Sequence, residues 1–157
     1  MEVEMCKRYP DNHILLMVSR TEHANSLYEM LNNEDENVDI LSGNKDEYDS
    51  ECRILIVTDK KGGVGFNWEK VDMLILGFDC TDVRQFEGRV RATEFVIIDF
   101  VHEFTTFDKH FEQNRKPWYL ERGATMNRYP IFLNLSRDGT FCVFHMKYTK
   151  LKAVMII

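Results

Sequence analysis

Five apolar runs separated by polar stretches constrain this chain more than any other feature: His13–Ser19, Val38–Leu41, Arg53–Thr58, Val71–Phe78 and Phe95–Val101. Runs of this length that stay apolar on both faces are the mark of strands buried in a parallel sheet. The intervals between them contain helical signals. From Thr21 to Asn32 the apolar residues Ala24, Leu27, Tyr28 and Leu31 fall at i, i+3, i+4 and i+7, on one helix face, and Thr21 is a candidate N-cap. Asn32–Asn37 is a polar, acidic loop, Lys45–Ser50 is expected to form one helical turn, and Thr81 to Val90 is expected to be a helix starting near Thr81 or Asp82. Strands alternating with helices need right-handed crossovers. The expected fold class is therefore α/β, a parallel sheet with helices on both faces.

Beyond Phe104 the pattern changes. Phe104, Phe107, His110, Phe111, Asn114 and Arg115 fit a helix that should stop before Pro117. Ile131–Leu135 and Thr140–His145 then flank Ser136-Arg137-Asp138-Gly139, a hairpin signal with Asp-Gly as the turn. The expected organisation is a main domain over 1–122 and a β-hairpin extension over 123–157 packed on it.

At 157 residues and 44% hydrophobic, the chain can bury a core. Acidic residues outnumber basic ones by 26 to 20, a net charge of −6. That argues against a general nucleic-acid coat protein but leaves room for a local basic face. The four cysteines are scattered with no Cys-x-x-Cys, so free thiols in a reducing compartment are expected and no metal site is. No signal peptide is visible, and no apolar run reaches the roughly 18 residues of a membrane span. The expectation is a soluble, intracellular protein, cytoplasmic or nuclear, with no membrane partner.

Two segments carry chemistry. Thr58-Asp59-Lys60-Lys61-Gly62-Gly63-Val64-Gly65-Phe66-Asn67 is a glycine-rich loop directly after a strand, at the edge where open α/β sheets bind ligands. Its glycines either serve tight turns or let the backbone approach a phosphate. Gln85-Phe86-Glu87-Gly88-Arg89-Val90-Arg91 places Gln85, Gly88 and Arg89 on one helix face. Its arginines either pair with Glu87 and Asp82 on a surface helix or reach a phosphate with their planar forks. No Walker A loop occurs, and the glycine spacing does not fit the dinucleotide fingerprint.

In their order and spacing these segments resemble the second RecA-like lobe of superfamily 2 helicases and translocases. Leu15–Thr21 resembles motif IV, Ile54–Asn67 resembles motif V in its Snf2-like form, and Gln85–Arg91 resembles motif VI. Asp99-Phe100-Val101 with Arg115 and Tyr119 is similar to the tail of XPB-type and viral transcript-release helicases. The resemblance covers roughly residues 12 to 122 and implies a site shared between two lobes. Arg89 and Arg91 would be the catalytic arginines. Gln85, Gly65, Asn67 and Gly88 would approach ATP, with Mg2+ held mainly by an N-terminal lobe. Ser19, Arg20, Ser42, Gly43, Thr58 and Gly63 would hold the backbone of one nucleic-acid strand, DNA or RNA. The two motif VI arginines stand two apart here, where the family has three. Two residues turn a helix by about 200°, so both face the nucleotide only if the helix ends near Val90, and Arg89 is the stronger candidate.

The resemblance implies a piece of a longer ATP-dependent enzyme that neither hydrolyses ATP nor unwinds nucleic acid alone. The alternatives are a non-catalytic helicase-like docking module and a phosphotransferase that uses the glycine loop. Asp99 is expected to be structural. His102 and His110 are expected at the helix surface or in packing. Phe66 and Trp68 should pack the loop on the core, Trp118 and Tyr119 should pack or stack on bases, and Phe104–Phe111 should belong to the core.

Overall fold

The structure is a computed structural model that describes residues 1–62, 67–87, 94–102, 106–131, 141–149 and 153–156. The apolar runs form the strands β1 (Ile14–Val18), β2 (Val38–Leu41), β3 (Ile54–Thr58), β4 (Met73–Leu76) and β5 (Glu94–His102). Neighbours β2–β3, β3–β1, β1–β4 and β4–β5 all pair in parallel. Every residue of β1, β3 and β4 is buried, as continuous apolar runs require of strands covered on both faces. The α/β, RecA-like parallel sheet is therefore as expected.

Helix α1 (Glu2–Arg8) was not expected. Its signal is electrostatic rather than periodic: Glu2 and Glu4 lie in the first turn and Lys7 and Arg8 in the last, each complementing the helix dipole. Arg53 holds its end by donating from Nη1 to the Tyr9 carbonyl at 3.1 Å and from Nε to Glu36 at 3.1 Å.

Helix α2 spans Thr21–Asn32, as the apolar spacing requires, with Ala24, Leu27 and Leu31 buried. Thr21 is not its cap. Arg20 occupies the N-cap position and no side chain caps the helix. The expected helical turn at Lys45–Ser50 does not form. Asp39 Oδ2 accepts the Asp49 N–H at 2.7 Å and Asp39 Oδ1 accepts from Lys45 Nζ, which draws the loop across the end of β2 instead.

After β3 comes a short helix α3 (Asp59–Gly62), and after β4 a short helix α4 (Arg84–Glu87). Helix α4 starts at Arg84, because Asp82 Oδ1 takes the Arg84 N–H at 3.0 Å and closes a turn ahead of the helix. The remainder of the expected helix, from Gly88 to Val90, lies outside the described residues.

Helix α5 (Thr106–His110) continues through a π-helical turn (Phe111–Arg115) into α6 (Lys116–Glu121). Pro117 does not stop the helix. It sits in the first turn of α6, where its missing N–H is tolerated. Phe111 is fully buried, but Phe107 is 39% exposed, so the phenylalanine stretch is only partly core.

Beyond β5 the sheet continues as β6 (Thr125–Ile131), β7 (Phe141–Thr149) and β8 (Ala153–Ile156), in the order β2-β3-β1-β4-β5-β7-β6-β8. Strand β7 runs antiparallel to both β5 and β6, with Ile131 opposite Phe141. The first hairpin strand thus begins at Thr125, ahead of the expected Ile131, and the rest of the expected strand to Leu135 and the Ser136–Gly139 turn lie outside the described residues. No helix among the described residues is long and apolar enough to cross a membrane.

Candidate functional site

A parallel sheet sends all its strands out at one edge, and here that edge gathers most of the described candidate residues. Val18 pairs with Thr58, and Leu41 with Val57, so the ends of β1, β3 and β2 lie side by side. Ser19 and Arg20 follow β1 and are exposed. Ser42 and Thr58 are buried, and Gly43 is exposed with φ +57°. That left-handed conformation belongs to glycine, and it bends the chain back so that Gly43 meets the start of α2, with a Cβ there lying 3.7 Å from Thr21 Cγ2. The uncapped first turn of α2 opens at the same place, next to Arg20. A positive helix end beside a guanidinium favours an anion, and Glu22 in that turn offsets part of the charge.

The glycine loop's described ends behave differently from its lysines' formal charge. Lys61 is tied to Asp46, whereas Lys60 is exposed and makes no ion pair among the described residues. The Asn67 carbonyl accepts from Tyr48 Oη at 2.9 Å, and Asn67 Nδ2 donates to Glu69 at 3.4 Å. Trp68 is buried and donates from Nε1 to the Ser50 carbonyl at 3.1 Å, which packs the loop on the core as expected. Gly63, Gly65, Phe66, Gly88, Arg89 and Arg91 lie outside the described residues. Gln85 lies in α4, beside Phe86, whose ring is buried.

A cleft of about 370 Å³ opens at the same edge, between Asp59 and Lys60 of α3, residues Phe78–Asp82 and His110. Asp59, Asp79 and Asp82 outnumber Lys60 there, so these residues alone do not fit a triphosphate. Among the described residues no group of His, Cys, Asp or Glu could hold a metal ion.

Behind the cleft lies a buried ionic cluster that sequence reasoning only touched. Arg115 donates from Nε to Asp99 Oδ2 at 2.8 Å, from Nη1 to Asp79 Oδ1 at 2.7 Å, and from Nη1 to the Cys80 carbonyl. Tyr119 Oη donates to the same Asp99 oxygen at 3.2 Å, and His110 Nδ1 donates to Asp79 Oδ2 at 2.6 Å. Arg115, Asp99 and Tyr119 are each 0% exposed. Asp99 Oδ1 and Arg115 Nη2 have no partner among the described residues.

Phe111, Arg115 and Tyr119 recur every fourth residue. On a regular helix each step overshoots a full turn by about 40°, and the wider π turn takes up part of that drift. All three side chains therefore point inward, with the guanidinium 5.7 Å from the Phe111 ring centre.

Burial pushes the Asp99 carboxyl up, and Arg115 and Tyr119 pull it only part of the way back. Burial also opposes the charge on Arg115, but Asp99 and Asp79 more than offset this and keep the guanidinium protonated. A Cys80 thiol beside this cluster is pushed up to about 12, by burial and then by the Asp99 charge. The sequence signal for the cluster was the pairing of Asp99 with an arginine and a tyrosine four residues apart, Arg115 and Tyr119. Nothing local marked Asp79, which lies in the turn after β4.

No family profile matches the chain. Relatives with curated sequences do. It is 28% identical over 153 residues to "Putative helicase 161L" of invertebrate iridescent virus 6, across 82% of this chain and 34% of that protein. It is 32% identical over 123 residues to "Putative helicase 055L" of frog virus 3 (isolate Goorha), across 76% of this chain and 28% of that protein. In its motifs and its fold the chain resembles the C-terminal RecA-like lobe of superfamily 2 helicases. The chain spans about a third of the length of those two relatives. It is also 34% identical over 93 residues to "Uncharacterized protein 108L" of invertebrate iridescent virus 3, across 57% of this chain and 88% of that protein.

Among solved structures, the C-terminal part of the Fun30 ATPase domain superposes with a TM-score of 0.54 at 16% identity, over 71% of this chain and 43% of that one. The TYW2 protein of M. jannaschii, solved with AdoMet, gives 0.53 at 11% identity, over 94% of this chain and 63% of that one. At these identities the likeness concerns the fold alone, and one α/β sheet serves unrelated chemistries.

Proposed function

We propose that this chain is one lobe of an ATP-dependent nucleic-acid helicase or translocase, where it grips one strand and completes the nucleotide site. The observation that carries this is the gathering of Ser19, Arg20, Ser42, Gly43 and Thr58 at the adjacent ends of β1, β2 and β3, beside the uncapped start of α2. Backbone groups and one guanidinium at such an edge suit phosphates, which give grip without sequence preference. Gly63 would join them.

On the nucleotide side, Arg89, and Arg91 if the helix ends near Val90, supplies positive charge where negative charge builds up during phosphoryl transfer. Gln85, Gly65, Asn67 and Gly88 would line the nucleotide. ATP and Mg2+ are held mainly by a second lobe, in keeping with the acidic character of the cleft around Asp59, Asp79 and Asp82. The isolated 157-residue chain is therefore expected to be inactive.

The test is made in the full-length protein. Arg89→Ala should lower nucleic-acid-stimulated ATP turnover by about 10³-fold while leaving the fold intact. Arg20→Ala should weaken binding to single strands of any sequence and reduce its salt dependence. Wild-type turnover in the first variant would remove Arg89 from the site, and unchanged binding in the second would remove the β1 edge from the track.

One observation favours a second reading, a helicase-like docking module without catalysis. The relative in invertebrate iridescent virus 3 contains little beyond the region shared with this chain. Under that reading, nucleic-acid binding by the full-length protein would be unaffected by ATP, and no turnover would be measurable.

A further inference from the structure

We propose that Arg115 is a positioning residue that clamps the turn between β4 and α4 and thereby sets the helix leading into the arginine pair. Its functional consequence rests on the reading of Arg89 given above; the clamp itself does not.

The turn needs such a device. Gly77 still bonds to the neighbouring strand, its N–H reaching the Met17 carbonyl at 2.8 Å, and Phe86 N–H reaches the Val83 carbonyl at 3.1 Å. Between them, among the described residues, no backbone N–H or carbonyl from Phe78 to Asp82 pairs with another backbone group. What holds this stretch comes from side chains: Arg115 and His110 of the helical segment 106–121 hold its start, and Arg84 holds Asp82 at its end.

Arg115 takes the Asp79 carboxylate and the Cys80 carbonyl with one nitrogen and is itself fixed to β5 through Asp99. His110 holds the other oxygen of Asp79 from the solvent side. Five residues further on, Arg84, the first residue of α4, lies 5.8 Å from the Trp118 ring centre and grips Asp82 at 2.5–3.0 Å. The turn is thus pinned at its start by Arg115, while at its end the Arg84 guanidinium lies over Trp118, so both ends meet one continuous helical segment. A planar fork with several donors can serve Asp99, Asp79 and a carbonyl together, and a lysine ammonium cannot reproduce that geometry.

Arg115→Lys and the milder surface variant His110→Ala are compared with wild type in the full-length protein. Amide exchange is read by mass spectrometry, and turnover is read against ATP concentration. Arg115→Lys should speed exchange over residues 77–87 on the order of tenfold and leave 14–18 and 54–58 unchanged. It should lower kcat roughly ten- to hundredfold with little change in KM, because the entry to the arginine pair is misplaced rather than the binding surface removed. His110→Ala should show the same local pattern more weakly, which covers the case in which Arg115→Lys does not fold. Unchanged exchange over 77–87 in both variants overturns the clamp, and so does a rise spread equally over β1 and β3. Local loosening with unchanged kcat overturns the positioning role. If Arg89→Ala proves harmless, the functional reading fails, and the exchange pattern alone still decides the clamp.

Discussion

Arg115 Nε donates to Asp99 Oδ2 at 2.8 Å with both side chains shut off from solvent. Removing one partner of such a pair strands the other charge in a low-dielectric interior. Asp99→Ala should destabilise the protein by about 3–5 kcal/mol, seen as a lower urea midpoint at unchanged slope. Loss of Tyr119 Oη in Tyr119→Phe, which leaves the ion pair standing, should cost only about 1 kcal/mol. An Asp99→Ala cost no larger than that of Tyr119→Phe would show that the pair contributes little.

Gly43 and Gly62 should respond to alanine for different reasons. At Gly43 the obstacle is the backbone, since φ is +57° and the nearest side-chain atom lies at 3.7 Å, so Gly43→Ala should cost about 1–2 kcal/mol. At Gly62 the obstacle is space, since a Cβ would lie 2.6 Å from Met17 Cε in the core. Because that atom is the flexible end of the methionine, which can turn aside, Gly62→Ala should cost no more than about 1 kcal/mol, and the double variant Gly62→Ala, Met17→Val should remove the clash itself. Thermal melts of the set separate the two causes.

Cys6, Cys52 and Cys80 should be inert in the folded protein. Burial pushes each thiol up to about 12, so little thiolate exists at neutral pH, and none is accessible. Peptide mapping after alkylation should find these three unlabelled until denaturant is added. Rapid native labelling of any of them would contradict the packing around it.

Asp82 is held down to about 2, first by the Arg84 side chain and then by the Arg84 backbone N–H. A depressed carboxylate adds stability above its unfolded value near 3.8 and loses it as pH falls toward 2. The pair is largely exposed, so the effect on stability is small. A carboxyl titration followed by NMR should find a midpoint near 2 that moves toward 3.8 in Arg84→Ala.

Much of the frame was legible in the sequence because its signals are local. The limits of α2 and β2 follow from the spacing and length of apolar runs, which each segment carries by itself. Helix α1 was missed because its pattern of charges is not a periodicity of apolar residues. Pro117 misled because the rule against proline applies to a helix interior, and the π turn before it makes Pro117 part of a new first turn. The candidate site was legible only as a set of residue types in family order, and the structure's own contribution was to bring Ser19, Arg20, Ser42, Gly43 and Thr58 to adjacent strand ends.

The sequence by itself determined the elements, their alternation and hence the α/β class, since burial on both faces of a strand is written in each strand's own residues. Only the tertiary structure decided which charges meet inside. Asp79 and Asp99 lie 36 and 16 residues from Arg115, and they reach it because β4 and β5 are neighbours and the helix after β5 folds back over their ends. A buried charge is tolerated only where such distant partners converge, and no pattern along the chain encodes that convergence.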